Sequence, residues 1–300
     1  MEKRRNLSCG AVVCWVLSAL AMGRTADTAP SKGERKPLAL RVAESKMYEN
    51  LLTEKGYKVD TPEQIQEALK SPSFIARMAA LYVLTNRMQD QAIGILKGAL
   101  KDQDVRVRTT AGDLLGALGD KSAIPVLRHD LATLAPRNGL PDPNLKDLEG
   151  RDLERASSRR TERLWHALGV SKVLSRMGDP SGLELAARMA LHSDSGLFRQ
   201  DAITVLTNLA TSDRSLLGEQ SIDPESVLIA MAEVETKPTV LRSLRIASAK
   251  LRLEVAKPIL EKLAASPHLS AEDRETARRR LEHREWKARR QSEAQSAEPK

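Results

Sequence analysis

Residues 71–131 carry one pattern twice, and that repetition constrains the fold more than any other feature of the chain. Displaced by 31 residues, Phe74 falls on Val105, Arg77 on Arg108, Ala80 on Ala111, Val83 on Leu114 and Leu84 on Leu115. The match continues through Ala92, Ile93, Ile95, Leu96 and Leu100, which fall on Ala123, Ile124, Val126, Leu127 and Leu131. A unit this short, holding two apolar periodicities near 3.6, cannot bury both helix faces alone. It has to stack on its copies.

The capping grammar agrees. Thr61-Pro62-Glu63-Gln64 combines a capping side chain, a first-turn proline and a glutamine that can reach back. Ser71-Pro72, Asp179-Pro180 and Asp223-Pro224 place a capping residue before a proline, and Ser122 with Pro125 and Ser270 with Asp273 are looser versions. These signals predict helix starts near 62, 72, 122, 180, 224 and 271. Links of three or four residues within a unit make its two helices antiparallel. Gly94 and Gly98 are four apart, as are Gly112 and Gly116. Glycine inside a helix is unfavourable by about 1 kcal/mol against alanine, so close approach by a neighbouring helix is expected at both pairs.

The run Asp102-Gln103-Asp104-Val105-Arg106-Val107-Arg108, then Ala111, Leu114, Leu115, Leu118, Gly119-Asp120 and Ala123-Ile124-Pro125-Val126-Leu127, resembles a HEAT repeat of the short, phycobilisome-lyase-like bacterial kind. Ala256-Lys257-Pro258-Ile259-Leu260 repeats the proline phrase, and Gly178-Asp179-Pro180-Ser181-Gly182-Leu183 echoes the turn, so the resemblance spans about residues 61–282. It implies an all-α fold: an α-solenoid of antiparallel helix pairs, a HEAT-like superhelix of about five repeats plus caps. In such repeats an arginine braces the stack by pairing with an acidic residue or carbonyls of an adjoining unit. Arg77, Arg108 and Arg199 take that part, Asp102 is a candidate partner, and Pro125 and Pro258 are structural. Ala167 stands where the intervening unit should carry its arginine.

The chain opens on Glu2-Lys3-Arg4-Arg5, an apolar run from Leu7 to Ala21 and small residues around Ala19 to Gly23, the pattern of a secretory signal. The run is short for a spanning helix of about 20 residues. Export to periplasm or medium after cleavage is therefore expected, with anchoring to the inner membrane through residues 7–22 as the alternative. Cys9 and Cys14 are the only cysteines, so residues 24–300 have no thiol for a disulfide or a metal. Without residues 1–23, which carry three basic residues and one acidic, the net charge of +8 becomes +6. That is mild for a chain of this length and weak evidence for a polyanion partner.

The expected organisation is a signal peptide (1–23), a flexible leader (24–37), an N-terminal capping helix (38–60), the repeat domain (61–282) with an inserted loop at 132–160, and a charged disordered tail (283–300). The insertion is either a binding edge or a tolerated loop. The cations around Trp286, Arg278 to Arg280, Arg284, Lys287, Arg289 and Arg290, are either a dock for a partner or anionic headgroups, or a solvated helix end.

No catalytic grammar is present. His129, His166, His192, His268 and His283 have no zinc-like spacing, and there is no phosphate-cradling glycine loop, G-x-S-x-G elbow or calcium loop. No cofactor is expected. The binding candidates are a line of cations on second helices, Lys97, Arg128 (31 residues on), Arg188 and Lys262, a face that HEAT arrays turn inward. Such a stripe attracts acidic partners, although exposed helix positions take lysine and arginine by default. The expected function is a non-catalytic scaffold holding a protein partner in the cell envelope. An enzyme or attachment factor of the lyase type is the alternative, disfavoured by the absence of thiols. Nucleic-acid binding, as in HEAT-like DNA glycosylases, is disfavoured by mild charge and by aromatics at only 3%.

Overall fold

A computed structural model describes residues 42–135, 150–217 and 221–296, all of which belong to one compact unit, residues 38–300. Among the described residues there are helices and no strands. In chain order the α-helices are α1 (Val42–Glu54), α2 (Pro62–Glu67), α3 (Phe74–Met88), α4 (Ile93–Ala99), α5 (Val105–Ala117), α6 (Ile124–Leu134) and α7 (Gly150–Arg176). They continue with α8 (Leu183–His192), α9 (Gly196–Ala210), α10 (Pro224–Val234), α11 (Pro238–Ser248), α12 (Leu253–Ala265) and α13 (Ala271–Ser296).

Each helix packs on elements close to it in sequence. On one side α3, α5, α7, α9 and α11 each lie on the next; on the other α8 lies on α10 and α10 on α12. The pairs α3/α4, α5/α6, α7/α8, α9/α10 and α11/α12 are the repeats. α1 and α2 precede them, and α13 closes the far end against α12. The fold is an all-α solenoid of helix pairs. Its apolar interior is a thin seam between the two helix layers, holding fully buried Leu81, Leu96, Leu115, Leu127, Leu168, Leu174, Met189 and Leu206. The few aromatics sit where successive units meet. Tyr48 of α1 stacks on Tyr82 of α3 with centroids 4.4 Å apart, Trp165 of α7 meets Phe198 of α9 edge-on at 5.3 Å, and the Arg106 guanidinium of α5 lies 3.4 Å over the Phe74 ring of α3.

Local chemistry explains where the helices begin and end. Thr61 and Gln64 form a reciprocal capping box, the Thr61 hydroxyl accepting from the Gln64 N–H and the Gln64 side chain accepting from the Thr61 N–H. Asp223 accepts from the Glu225 and Ser226 N–H groups at the start of α10. Gly119 and Gly178, at φ +81 and +78, end α5 and the turn after α7 in Schellman motifs. There the next N–H reaches back five residues, from Asp120 to Leu115 and from Asp179 to Leu174, each at 2.9 Å.

Several expectations are corrected. Ser71-Pro72 does not open a helix: α3 starts at Phe74, and the Ser71 hydroxyl accepts from the Ser73 N–H instead. Asp179-Pro180 opens a 3-10 turn, Pro180–Gly182, which leads into α8. Gly94 and Gly98 are exposed, and a Cβ there would meet nothing within 4 Å, so no neighbour compensates them. Gly112 and Gly116 do accommodate close packing, against Leu127 and Met177 respectively. The insertion is narrower than 132–160, since α6 runs to Leu134 and α7 begins at Gly150. The tail expected to be disordered is helical to Ser296, because guanidinium and ammonium groups tie the first half of α13 to α11 and α12 and the helix continues from there. The signal segment 1–23, the leader 24–37 and residues 136–149 of the insertion lie outside the described residues.

Candidate functional site

The expected braces have a shared geometry. Arg77, Arg108 and Arg199 are each the fourth residue of their helix. From there the guanidinium folds back over the helix start. Arg77 sends Nε and Nη2 to Asp102 at 2.7 and 2.9 Å, and Nη1 to the carbonyls of Ser71 (2.7 Å) and Pro72 (3.2 Å). Arg108 sends Nε and Nη2 to Asp130 at 2.9 and 2.6 Å, and Nη1 to the Asp102 carbonyl at 2.6 Å. Arg199 pairs with Glu235, Nε to Oε2 at 2.7 Å, and donates Nη1 to the Ser193 carbonyl. Each fork thus holds one carboxylate and the carbonyl six residues upstream.

Asp102 and Glu235 stand three residues before the next first-layer helix, so these forks bridge one unit to the next. Both carboxylates also accept from the backbone N–H two residues on, at 2.8 and 2.7 Å. Arg108 instead takes its partner, Asp130, from α6 of its own unit. The hydrogen bonds that Arg108 donates to Asp130 push the Arg108 pKa up. Ala167 is explained too. Six residues upstream of it lies Thr161, mid-helix in the lengthened α7, whose carbonyl needs no external donor. A related arginine escaped sequence reading: Arg274, fourth residue of α13, folds back onto the Leu269 carbonyl, five residues upstream, at 3.0 Å. The signal was its position after the Ser270 cap. Pro125 lies in the first turn of α6, where its missing N–H is not needed, whereas Pro258 lies inside α12.

Three of the four predicted binding cations have a close carboxylate within the chain. Lys97 of α4 meets Asp120 at 2.8 Å, and Arg128 of α6 meets Asp179 at 2.8 Å. These aspartates belong to the two Gly-Asp turns, so each second helix is tied to the turn of the following unit. Hydrogen bonds from Lys97 and from Ser122 lower the Asp120 pKa to about 2. Burial works to raise Asp179, and the bonds from Arg128 and Ser181 override it and hold that carboxyl below its ordinary value. Lys262 of α12 pairs with Glu233 of α10.

Arg188 differs. Its ion pair, with Glu184 one turn back on α8, is at 4.0 Å, and its Nε is shielded from solvent with no hydrogen-bond acceptor. The Gly-Asp turn it would need is absent, because α9 ends in a longer link, residues 211–223, instead. Arg188 lines a shallow groove between α8 and α10, together with Leu191, His192, Ile222, Asp223 and Val227. Leu191 is among the exposed large apolar side chains of the described residues, with Leu197, Val234, Ile246 and Trp286.

The basic end of α13 is partly consumed by the fold. Arg280 donates to the Arg245 carbonyl at 2.6 Å, and Arg284 donates to the Ser248 and Leu251 carbonyls, so both serve the C-terminal end of α11, where carbonyls lack helical donors. Arg278 and Arg279 share Glu275. Trp286 stays half exposed, with the Arg290 guanidinium 5.6 Å over its ring. Among the histidines, His166 is partly buried and burial lowers its pKa. Among the described residues no group of His, Cys, Asp and Glu side chains is placed to hold a metal ion, and no helix is long and apolar enough to cross a membrane.

Residues 61–136 match the family model of HEAT repeats, a span that covers α2 to α6 and both braces Arg77 and Arg108. No curated protein matches the chain.

Proposed function

We propose that this HEAT-repeat chain is a non-catalytic scaffold that holds a protein partner against its stacked helices, and that it works outside the cytoplasm in the cell envelope. The observation that carries the reading is the division among the cations of the second helices. Lys97, Arg128 and Lys262 join one unit to the next, while Arg188, with Glu184 at 4.0 Å, lines a shallow groove of mixed apolar and polar side chains. A stacked array held by its own ion pairs offers a long preformed surface, and binding needs little reorganisation. Export rests on the basic start and apolar run of residues 2–21.

Two measurements test the two halves. Residues 1–40 fused to a reporter active only outside the cytoplasm should give activity, and cytoplasmic retention of that fusion would refute the address. Affinity capture on the purified chain from an envelope fraction should retain a defined protein at a fixed ratio. Turnover of a small molecule by the purified chain, with nothing retained, would refute the scaffold.

A further inference from the structure

Helix α13 sorts its charges by side. Arg280, Arg284 and Lys287, at i, i+4 and i+7, fall on one face of the helix, and Glu275, Glu282, Glu285 and Glu293 fall on another. Contacts fix which way each face turns. Arg280 and Arg284 donate to the Arg245, Ser248 and Leu251 carbonyls at the C-terminal end of α11, whereas Glu285 meets Lys257 of α12 at 2.8 Å. The basic face therefore looks toward α11, and α11 adds cations to it. Arg242 and Arg245 share Asp273, and Lys250 lies exposed in the chain between Ser248 and Leu251.

The carboxylates on this side are Glu272 and Asp273 in the first turn of α13, beside Arg242, and Glu254, whose charge reaches Arg284. The positive excess thus lies away from that turn, toward Lys250, Arg280, Arg284 and Lys287. Arg280 and Arg284 spend their hydrogen bonds on neutral carbonyls, which leaves their charge in place. Burial, then the charges of Arg245 and Arg284, push the Arg280 pKa down, as crowded guanidiniums should. Apolar side chains border the patch. Ile246, one turn after Arg242 on the same face of α11, is 60% exposed, and the half-exposed Trp286 precedes Lys287, with the Arg290 guanidinium over its ring.

We propose that this basic face, shared by α11 and α13, docks on the anionic phospholipid headgroups of a membrane surface. The exposed cations Arg242, Lys250, Lys287 and Arg290 meet the phosphates, and Arg280 and Arg284 add to the potential from beneath. Ile246 and Trp286 reach the boundary between headgroups and acyl chains, where an indole settles. A nucleic-acid backbone would satisfy the cations and offer nothing to Ile246. For an acidic protein the two apolar side chains stand on separate helices with cations between them, not gathered into one anchor pocket. A bilayer surface takes both kinds of side chain at once. Docking of this kind needs no spanning helix, and it stands independently of what the second helices hold.

The test sediments residues 24–300 with vesicles. This chain keeps the whole compact unit, residues 38–300, and lacks the apolar run 7–21, which would bind bilayers by itself; the full chain is run beside it. Binding should require phosphatidylglycerol in the phosphatidylcholine vesicles and weaken with salt. Lys250→Gln combined with Lys287→Gln should weaken it about tenfold or more, since each cation near an anionic surface is worth about fivefold, with the circular dichroism spectrum unchanged. Lys101→Gln combined with Lys121→Gln, the same loss of charge at exposed positions in the first repeats, should leave it within about twofold. Tryptophan emission should shift to the blue on binding, and Trp286→Phe should abolish the shift while Trp165 remains. Equal binding to phosphatidylcholine alone, no loss in the Lys250 and Lys287 double variant, or an equal loss in the Lys101 and Lys121 one would each overturn the proposal. So would emission unmoved by phosphatidylglycerol, or tighter binding to polyglutamate or a DNA duplex than to the anionic vesicles.

Discussion

Replacing Arg77 by alanine isolates what one brace contributes. The residue is 6% exposed, and its guanidinium serves the Asp102 carboxylate and the Ser71 and Pro72 carbonyls. Truncation strands a carboxylate whose side chain is 14% exposed and removes the Nη1 donor from both carbonyls. Breaking one side of a buried pair costs about 3–5 kcal/mol. Asp102 keeps the Asp104 N–H at 2.8 Å, which places Arg77→Ala at the lower end, near 3 kcal/mol. At roughly 2–4 °C per kcal/mol for a chain of this size, the melting temperature should fall by about 6–12 °C, followed by circular dichroism at 222 nm. Arg77→Lys should recover less than half, because one ammonium cannot reproduce a fork. Adding Asp102→Ala to Arg77→Ala removes the stranded charge, so the double variant should be more stable than the sum of the singles by about 1 kcal/mol or more. A melting temperature within about 2 °C of wild type for Arg77→Ala, or strict additivity in the cycle, would refute the bracing role.

Three further outcomes follow from the same geometry. Arg108→Ala should also lower the melting temperature, because it strands the Asp130 carboxylate, whose side chain is 6% exposed; unchanged thermal unfolding would contradict its role. Gly98→Ala should stabilise by about 0.5–1 kcal/mol, since the added methyl meets nothing. Gly112→Ala should destabilise by about 1–2 kcal/mol, since its Cβ would lie 2.7 Å from the Leu127 Cδ1 atom; urea melts of the pair should move in opposite directions. Acid should loosen the stack, because the carboxyls of Asp104, Asp120, Asp179 and Asp273 titrate below their ordinary value in the folded chain. A depressed pKa contributes stability that is full above the unfolded aspartate value of about 3.9 and is lost as pH falls through the folded one, about 2 for Asp120. Urea midpoints should therefore decline between about pH 4 and 2, below the earlier loss that begins at about pH 6.5 as unfolding comes to favour protonation of the His166 imidazole that burial disfavours, and a midpoint unchanged between about pH 4 and 2 would count against the ion-pair account.

The repeat and its helix pairs were legible because two independent signals coincide: apolar residues near a period of 3.6 and capping residues at unit boundaries. The bracing arginines were legible for a related reason. A charged residue recurring at a fixed register inside an apolar helix needs a partner, and Asp102 lies one link away. Asp130 was not legible as the partner of Arg108, because that pair joins the two helices of one unit, whereas Arg77 reaches the link beyond its unit. Gly94 and Gly98 misled in the opposite direction. Spacing alone cannot distinguish a glycine that admits a neighbour from one that faces solvent, and the same four-residue interval holds both kinds. In α13 the run of arginines reads as surface charge. Only the placement of the α11 carbonyls reveals that Arg280 and Arg284 terminate a helix.

The line of cations on the second helices illustrates how one sequence position takes two roles. Lys97 and Arg128 face a Gly-Asp turn in the following unit, where a left-handed glycine sets the turn and the aspartate, bonded to the Ser122 or Ser181 N–H, aims a carboxylate back at them. The geometry requires a short turn. After α9 the link runs from Thr211 to Asp223, so its closing aspartate is drawn to the start of α10 as a cap. Lengthening one turn therefore strips the preceding cation of its carboxylate without changing the cation itself. An arginine whose ion pair is at 4.0 Å is then the local consequence of a loop, and it lies beside the exposed Leu191. Sequence position alone ranks Arg188 with Lys97, Arg128 and Lys262. The bonding separates it: those three meet a carboxylate within hydrogen-bond reach, and Arg188 does not.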